Sequence, residues 1–230
     1  PGAGTVSGAD LAIQMFQHTQ ELNVPFDYKT VKEVRVGEDG VKTILCEEEG
    51  AVYTAHAVIL CTGTDSRTLG VPGEDSYIGN GISFCAICDG AACKGKDVVV
   101  LGGGNSAVEE AVYLAGMAES VTVAVRSCLK ADPAACDKLR SLENVTVLEG
   151  WNAAEFYGDG SLKGVRLKEV STGEERSLDC AKVFEYIGQI PATDCFQNLG
   201  VLNEAGYVEA DAMMRTWVPG IFAAGDCVVK

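Results

Sequence analysis

The feature that most constrains this chain is a strand, a glycine-rich turn, a helix and a second strand in immediate succession from Asp97 onward. The segment DVVVL is a continuous apolar run, SAVEEAVYLAG has helical spacing of its apolar residues, and SVTVAV (120–125) is again apolar. A βαβ unit of about 30 residues has this pattern, and its two strands run parallel in one sheet. The sequence therefore predicts an α/β fold.

The turn GGGNSA, between the first strand and the helix, has the spacing of a dinucleotide site. Gly102 allows a tight turn, Gly104 lets the backbone approach a pyrophosphate, and the small Ala107 permits close packing of the helix on the strand. The helix N-terminus adds N–H groups and a partial positive charge for the phosphates. The predicted pyrophosphate site comprises Gly102, Gly103, Gly104, Asn105, Ser106 and Ala107.

The residue that follows the second strand indicates which dinucleotide binds. NAD sites usually carry an acid there for the ribose 2′-hydroxyl, whereas NADP sites tend to carry an arginine. This chain has Arg126, and Lys130 is close enough in sequence to share a 2′-phosphate. We therefore predict NADPH; the alternative is a surface arginine that binds no ligand.

A CxxC pair, Cys85 and Cys88, lies just upstream of the glycine turn and is followed directly by Asp89. A structural zinc site would need a second pair of ligands, and the sequence has none with matching spacing, so we predict no metal. Inert core cysteines fit poorly with the polar flank CDG. A redox dithiol fits best, because this spacing allows a disulfide within one turn and Asp89 can exchange a proton with it.

The dithiol and the nucleotide turn together predict a third component. A nicotinamide gives up two electrons as hydride, and disulfides do not accept hydride readily without a flavin between. The segments CTG (61–63) and GIFAAGD (220–226) are candidates for the border of that flavin site.

Composition excludes several classes of protein. The net charge of −15 argues against binding of nucleic acid or anionic lipid, and no apolar run approaches the roughly 18–20 residues of a membrane span. Ten cysteines with one CxxC are not typical of a secreted disulfide scaffold, which favours reduced thiols and a cytoplasmic location. Four are expected as small apolar side chains (Cys46, Cys61, Cys180, Cys227), and three in polar stretches are expected to be exposed (Cys93, Cys128, Cys136).

Elsewhere the patterns are more ordinary. Residues 8–22 have the spacing of an amphipathic helix, with Leu11, Met15 and Leu22 among its apolar positions. Short strands follow, and the run AVILC (57–61) is typical of a buried strand that ends at a glycine turn. The segment 69–81, rich in Gly, Pro and Asp, predicts an irregular connection and a domain boundary.

In this order the motifs resemble those of the low-molecular-weight thioredoxin reductases, in the pyridine nucleotide–disulfide oxidoreductase family. ILCTGTDSR is similar to the family's ATG segment, with Cys61 in place of the alanine, and SFCAICDG is similar to its redox motif. VVVLGGGNSAVEEAVYLA resembles the NADPH turn and helix, YIGQIPAT the strand that closes that domain, and GIFAAGD the flavin-binding segment. The resemblance covers the whole chain.

The resemblance implies two Rossmann-like domains, with the NADPH domain inserted into the FAD domain. Residues 1–67 and 189–230 would form two parts of the FAD domain, and residues 68–188 the NADPH domain with the CxxC. The family's FAD domain has its own opening strand and GxGxxG turn, which have no counterpart after Pro1, and a helix beyond the position of Lys230. We therefore expect an internal fragment with an incomplete FAD domain that does not bind FAD tightly by itself.

Individual roles also follow from the resemblance. Cys88 would be the flavin-facing thiol, Cys85 the thiol that attacks the thioredoxin disulfide, and Asp89 the acid–base group. Ile187 and Gly188 would lie on the nicotinamide side. The expected FAD contacts are Val31, Thr62, Gly63, Gly225 and Asp226.

The implied activity passes electrons from NADPH through FAD and the dithiol to thioredoxin, in a homodimer. The domains would rotate about two connecting strands, with hinges near Arg67 and Thr68 and near Gly188 and Gln189. The alternatives are another disulfide partner, such as a peroxiredoxin or glutaredoxin-like system, or a non-catalytic nucleotide-binding module. One departure bears on the cofactor: the family's HRRxxxR corresponds to VRSCLK here, which leaves NADH use open.

Overall fold

The computed structural model describes residues 6–229 and divides the chain into two compact units. The flanking unit comprises residues 1–61 and 193–230, and the central unit comprises residues 62–192. These divisions lie four to six residues from the expected 67/68 and 188/189. The strand just after the first division (64–66) and the strand just before the second (189–191) pair with each other, so both belong to the central unit. No helix among the described residues is long and apolar enough to cross a membrane.

The secondary structure is mostly short strands. The helices are α1 (Gly8–Glu21), α2 (Glu74–Tyr77), α3 (Ala86–Asp89), α4 (Asn105–Ala115) and α5 (Pro133–Arg140), with 3-10 helices at Gly90–Cys93 and Asp194–Leu199. The strands are β1 (Val31–Val36), β2 (Lys42–Cys46), β3 (Val52–Ala55), β4 (Val58–Leu60), β5 (Thr64–Ser66), β6 (Ile82–Ser83), β7 (Asp97–Leu101), β8 (Ser120–Val125), β9 (Val145–Glu149), β10 (Trp151–Gly158), β11 (Leu162–Glu169), β12 (Glu175–Asp179), β13 (Lys182–Glu185), β14 (Gln189–Pro191) and β15 (Ile221–Ala223).

The central unit is built on a parallel sheet with the strand order β6-β13-β7-β8-β9. On one face, Val98 and Val100 of β7 pack with Leu114 of α4 and Leu139 of α5. On the other face, Val99 packs in the cluster that includes residues of the antiparallel sheet β10-β11-β12. Because both faces are covered, β7 is apolar at nearly every position, and the predicted parallel sheet is confirmed.

The flanking unit contains α1, an antiparallel sheet β1-β2-β3 and a parallel pair β4–β15. Its core joins Val34 of β1, Leu60 of β4 and Ile221 of β15 to Phe196 and Val208. The strand predicted at 57–61 is present as β4, but the expectation that it is buried is wrong in part. Leu60 is buried, whereas Ile59 points away from this core and is 67% exposed, because this two-stranded sheet has only one face on the core.

Helix α1 forms where the periodicity predicts it. Ser7 is its N-cap, and the Ser7 Oγ accepts a hydrogen bond from the Asp10 N–H at 3.1 Å. None of its residues is buried in the described structure, so the apolar face with Leu11, Met15 and Leu22 is exposed.

The cysteines outside the CxxC follow the expectations only partly. Cys180 and Cys227 are buried, as expected of small apolar side chains, but Cys61 is exposed. Cys128 is exposed as predicted, whereas Cys93 is fully buried, so that prediction was wrong. Cys93 ends a 3-10 helix and packs into the core cluster beneath α4, despite the polar segment KGK that follows it.

Candidate functional site

The two CxxC sulfurs form a disulfide at the start of α3. Cys85 and Cys88 are bonded, with their Cα atoms 5.3 Å apart. Cys85 is the N-cap of α3, and its Sγ accepts the Cys88 N–H at 3.1 Å. A sulfur that receives a backbone N–H is stabilised as a thiolate, which suits the role of attacking thiol expected of Cys85. Cys85 is half-buried and Cys88 is exposed.

Asp89, the last residue of α3, is held beside the disulfide by two side chains from neighbouring strands. The Ser83 Oγ donates to Asp89 Oδ2 at 2.6 Å, and the Lys182 Nζ lies 3.7 Å from Asp89 Oδ1. These contacts leave the carboxylate partly exposed and oriented, which suits a group that exchanges protons with the dithiol.

Tyr186 connects the redox helix to the segment after β13, and no motif in the sequence had pointed to it. Its Oη accepts the N–H of Ala86, between the two cysteines, at 2.7 Å. Burial raises the pKa of Tyr186 to about 12, so the phenol stays protonated at neutral pH. Its position directly before Ile187 and Gly188, in the strand segment YIGQIPAT, was the available signal.

The glycine turn after β7 is shaped by different requirements at each glycine. Gly102 has φ +133°, and a Cβ there would lie 2.3 Å from the Tyr186 carbonyl oxygen. A Cβ on Gly103 would lie 2.5 Å from Cγ1 of Val125. At Gly104 no atom of the described chain lies within 4 Å of the Cβ position. Close packing therefore requires glycine at positions 102 and 103. At Gly104 there is instead open space at the start of α4.

This open space has the properties of a phosphate site. Gly104 is the N-cap of α4, and within the described residues no side chain caps the helix. The Asn105 Oδ1 accepts from the Asp132 N–H at 2.8 Å instead of capping the helix. The first-turn N–H groups of Asn105, Ser106 and Ala107 therefore lack a side-chain cap, and a pyrophosphate fits this arrangement.

The predicted 2′-phosphate residues lie on the loop that follows β8. Arg126 and Lys130 are both exposed, and the Lys130 N–H donates to the Gly103 carbonyl at 2.7 Å. That hydrogen bond holds the loop against the glycine turn. The structure thus brings both cations to the same edge of the sheet as the predicted pyrophosphate site.

Ile187 and Gly188 follow β13, the neighbour of β7 in the sheet. Because β13 and β7 are parallel, with Glu185 opposite Leu101, both segments leave the sheet at its carboxyl edge. Ile187 packs against the core, while Gly188 is exposed with φ +118°. Their position beside the turn suits the expected role near a nicotinamide.

Three of the expected FAD residues belong to the flanking unit. Gly225 has φ +83° and open space around its Cβ position, and the exposed Asp226 follows it. They come just after β15, and the Ala224 N–H donates to the Leu60 carbonyl of the parallel strand β4 at 2.9 Å. Val31 begins β1, at the strand end opposite Cys46. The glycine allows close approach of a ligand to the backbone, which fits a flavin-binding segment.

The other two expected FAD residues belong to the central unit. Thr62 is exposed, and Gly63 has φ +70° with its carbonyl accepting the Ala192 N–H at 3.0 Å. They precede β5, which pairs with β14.

A pair of buried carboxyl groups lies at the end of β13, the strand next to β7. Glu185 ends β13 and is 3% exposed, and among residues 6–229 no donor reaches either of its carboxyl oxygens. Its neighbour Glu74 accepts the N–H groups of residues 69, 70 and 71 at 2.5–3.2 Å. Burial, reinforced by the adjacent Glu74 carboxyl, raises the pKa of Glu185 to about 8, so Glu185 is mostly protonated at neutral pH.

This pair predicts a pH dependence of stability. Because the pKa of Glu185 rises from 4.5 to about 8 on folding, the free energy of unfolding should fall by a few kcal/mol between about pH 4.5 and pH 8. Glu185→Gln keeps the neutral form and should remove that slope, making the variant more stable than the wild type at pH 8. Urea unfolding at pH 5, 6.5 and 8 measures this. Glu155→Gln, at a partly exposed position of β10, is the control that should keep the slope. A slope that persists in Glu185→Gln would contradict the assignment.

The sequence matches the family described as pyridine nucleotide-disulphide oxidoreductase over residues 5–230, and the chain belongs to that family. The chain is 40% identical over 229 residues to the thioredoxin reductase of Bacillus subtilis, covering 98% of this chain and 71% of that protein. It is 42% identical over 224 residues to the F component of alkyl hydroperoxide reductase from Staphylococcus aureus, covering 96% of this chain and 43% of that protein.

Solved structures give the same assignment. Lactococcus lactis thioredoxin reductase in its FR conformation aligns with a TM-score of 0.85 at 34% identity, over 100% of this chain and 76% of that one. T. acidophilum thioredoxin reductase aligns with a TM-score of 0.82 at 33% identity, over 99% of this chain and 75% of that one. The expected family and the α/β class with Rossmann-like nucleotide-binding domains are confirmed, and the chain is an oxidoreductase that acts on a disulfide.

Proposed function

We propose that this chain carries electrons from NADPH through FAD and the Cys85–Cys88 pair to thioredoxin. The observation that carries the proposal is the disulfide at the start of α3, with Asp89 beside it, on the same compact unit as the uncapped glycine turn. The thioredoxin reductases among its relatives and structural neighbours support thioredoxin as the acceptor.

Each group of residues in this chain has its own part in the transfer. Residues 102–107 would bind the pyrophosphate, and Arg126 with Lys130 would bind the 2′-phosphate. Ile187 and Gly188 would contribute to the nicotinamide side of the site. A bound flavin supplies the two-electron step between the nicotinamide and the disulfide. Within the flanking unit, Val31, Gly225 and Asp226 would contribute contacts to that flavin. Thr62 and Gly63 are the flavin contacts expected from the central unit.

The transfer to thioredoxin is a pair of thiol–disulfide exchanges. The Cys85 thiolate attacks one sulfur of the thioredoxin disulfide, which forms a mixed disulfide and releases one thioredoxin thiolate. Cys88 then attacks the Cys85 sulfur, which re-forms the Cys85–Cys88 bond and releases the second thiol. Asp89 accepts the proton that Cys88 loses and returns it to one leaving thiolate. The other thioredoxin thiolate takes from solvent the proton that Cys85 released on ionising, so thioredoxin gains two electrons and two protons in all.

The connecting strands β5 and β14 support the proposed hinges near Arg67 and Thr68 and near Gly188 and Gln189. The Arg67 N–H donates to the Gly188 carbonyl at 3.1 Å, and Gly188 has a φ that other residues rarely adopt. The two hinge points therefore lie side by side and share a backbone hydrogen bond. A change in the backbone dihedral angles at one of them should therefore also affect the other. In domain rotations the large changes of φ and ψ commonly occur at a few residues at the ends of secondary-structure elements.

We propose NADPH as the nucleotide and a cytoplasmic homodimer as the form of the protein. Two exposed cations beside the glycine turn support NADPH, and eight free cysteines support a reducing compartment. The homodimer rests on the family resemblance alone.

Transfer of thiols in stoichiometric amounts tests the proposal without requiring a bound flavin. The chain is reduced chemically, freed of reductant and mixed with oxidised thioredoxin, and the thioredoxin thiols are counted by alkylation and mass spectrometry. We expect close to two thiols per thioredoxin and recovery of the Cys85–Cys88 disulfide.

The related alkyl hydroperoxide reductase component makes another disulfide partner the second candidate. Oxidised glutaredoxin and a disulfide-form peroxiredoxin are therefore run in parallel with thioredoxin. Faster transfer to either of these would replace thioredoxin as the acceptor.

A further inference from the structure

An ion pair lies beside the loop that carries Arg126 and Lys130. Glu149 ends β9, and its position is opposite Val125, the residue before Arg126. The Glu149 Oε1 accepts from the Arg140 Nη2 at 2.7 Å and from the Leu129 N–H of the loop at 3.3 Å. A carboxylate and a guanidinium thus lie where the adenosine ribose of a bound dinucleotide is expected.

The loop does not depend on Glu149 for its position. The Lys130 N–H donates to the Gly103 carbonyl at 2.7 Å, and the Asp132 N–H donates to the Asn105 Oδ1 at 2.8 Å. Both of these contacts attach the loop directly to the glycine turn and are shorter than the contact from Leu129. What Glu149 adds at this place is therefore mainly its charge.

That charge is permanent at working pH. The Arg140 guanidinium, and secondly the Leu129 N–H, hold the pKa of Glu149 below its usual range, so the carboxylate stays ionised. The loop itself carries two exposed cations, Arg126 and Lys130. Ser127 occupies the position of the second arginine of the family pattern. With only two loop cations present, the negative charge of Glu149 can change appreciably how strongly this region attracts a 2′-phosphate.

We propose that the Glu149–Arg140 pair sets how strongly the chain discriminates between NADPH and NADH. The Glu149 carboxylate repels the ribose 2′-phosphate, and Arg140 offsets part of that repulsion. The inference rests on the proposed nucleotide function of this loop and adds to it two specificity-determining residues outside the loop itself.

Binding of two adenosine nucleotides to the 230-residue chain tests the proposal. Adenosine 2′,5′-bisphosphate carries the 2′-phosphate, and 5′-AMP lacks it; calorimetric titration at low salt gives both dissociation constants. Glu149→Gln should tighten binding of the bisphosphate by about five-fold, and Arg140→Gln should weaken it by a similar factor, with 5′-AMP nearly unchanged. Because both side chains are partly exposed, both shifts should shrink toward zero in about 0.5 M salt.

Both variants break the same ion pair, but the proposal expects them to change the affinity for the bisphosphate in opposite directions. A role in holding the loop would move both variants the same way, and that result would overturn the proposal. Glu155→Gln, which breaks the exposed Glu155–Arg166 pair on the other sheet, is the matched control and should change neither constant. Unchanged binding in Glu149→Gln would also overturn it, while leaving nucleotide binding itself intact. A wild-type chain that binds neither nucleotide would instead remove the proposed nucleotide site, and this inference with it.

Discussion

Replacing Cys88 with serine should convert the chain into a covalent trap for its disulfide partner. The remaining Cys85 thiolate attacks the thioredoxin disulfide, but without a second thiol in this chain the mixed disulfide can be broken only by return attack of the thioredoxin thiolate that the first step frees. Serine keeps the backbone N–H of residue 88, which reaches the Cys85 Sγ at 3.1 Å and favours the thiolate. We expect adduct close to one thioredoxin per chain when the freed thioredoxin thiol is blocked by alkylation, seen as a mass increase by one thioredoxin on non-reducing gels and by mass spectrometry. Thioredoxin with both cysteines reduced should not be released.

The reciprocal variant distinguishes the two cysteines. Cys85→Ser leaves Cys88, whose sulfur accepts no backbone N–H in the structure as described, so adduct should form much more slowly. The double variant measures the background from the exposed thiols Cys61 and Cys128. If Cys85→Ser traps thioredoxin as fast as Cys88→Ser, the assignment of the attacking thiol is wrong. Adduct no greater than that of the double variant would remove the CxxC from the reaction.

The βαβ unit was predictable from sequence because its determinants are local. β7 is buried on both faces, so its apolar run is continuous and needs no knowledge of the neighbours. At Gly102 and Gly103 a Cβ would collide with residues far along the chain. Glycine is the only residue without a Cβ, so it is the only one that fits these two positions. The requirement is therefore visible in the sequence although its cause is not.

Residues whose roles depend on long-range contacts were not predictable in the same way. Tyr186 lies 100 positions from Ala86, whose N–H it accepts, and Glu149 lies 20 positions from Leu129. Cys93 precedes the polar segment KGK but is enclosed by the core, and Ile59 belongs to an apolar run but is exposed. The spacing of apolar residues indicates which face of a helix or strand is apolar. Whether that face is buried depends on the segments that pack against it in the fold.

Glu185 shows an intermediate case. An acid inside the apolar segment VFEYIG is visible as an anomaly, because a buried carboxylate is costly without a partner. The partner, Glu74, is itself an acid in a segment predicted as an irregular connection, and its carboxyl receives three backbone N–H groups. No pattern in the sequence pairs two acids, so the raised pKa of Glu185 could be inferred only from the structure.

Substitutions of two glycines of the turn should have large and different effects: Gly104→Ala should weaken nucleotide binding, whereas Gly102→Ala should destabilise the fold. Gly104→Ala should leave stability within about 1 kcal/mol of the wild type, because φ is −84° and no atom of the described chain lies within 4 Å of the new Cβ. The methyl group would instead occupy the space through which a pyrophosphate approaches the backbone. We expect the affinity for NADPH to fall roughly 10- to 100-fold, measured by calorimetric titration.

Gly102→Ala is the matched comparison, with the same added methyl group two residues earlier. Its φ of +133° is strained for any L side chain, and the Cβ would lie 2.3 Å from the Tyr186 carbonyl oxygen. This variant should lose about 3 kcal/mol or more of unfolding free energy, measured by urea unfolding. If Gly104→Ala instead binds NADPH normally, the backbone at the start of α4 does not contact the phosphates. The space there would then have no ligand, and the nucleotide site would have to be sought elsewhere on the sheet edge.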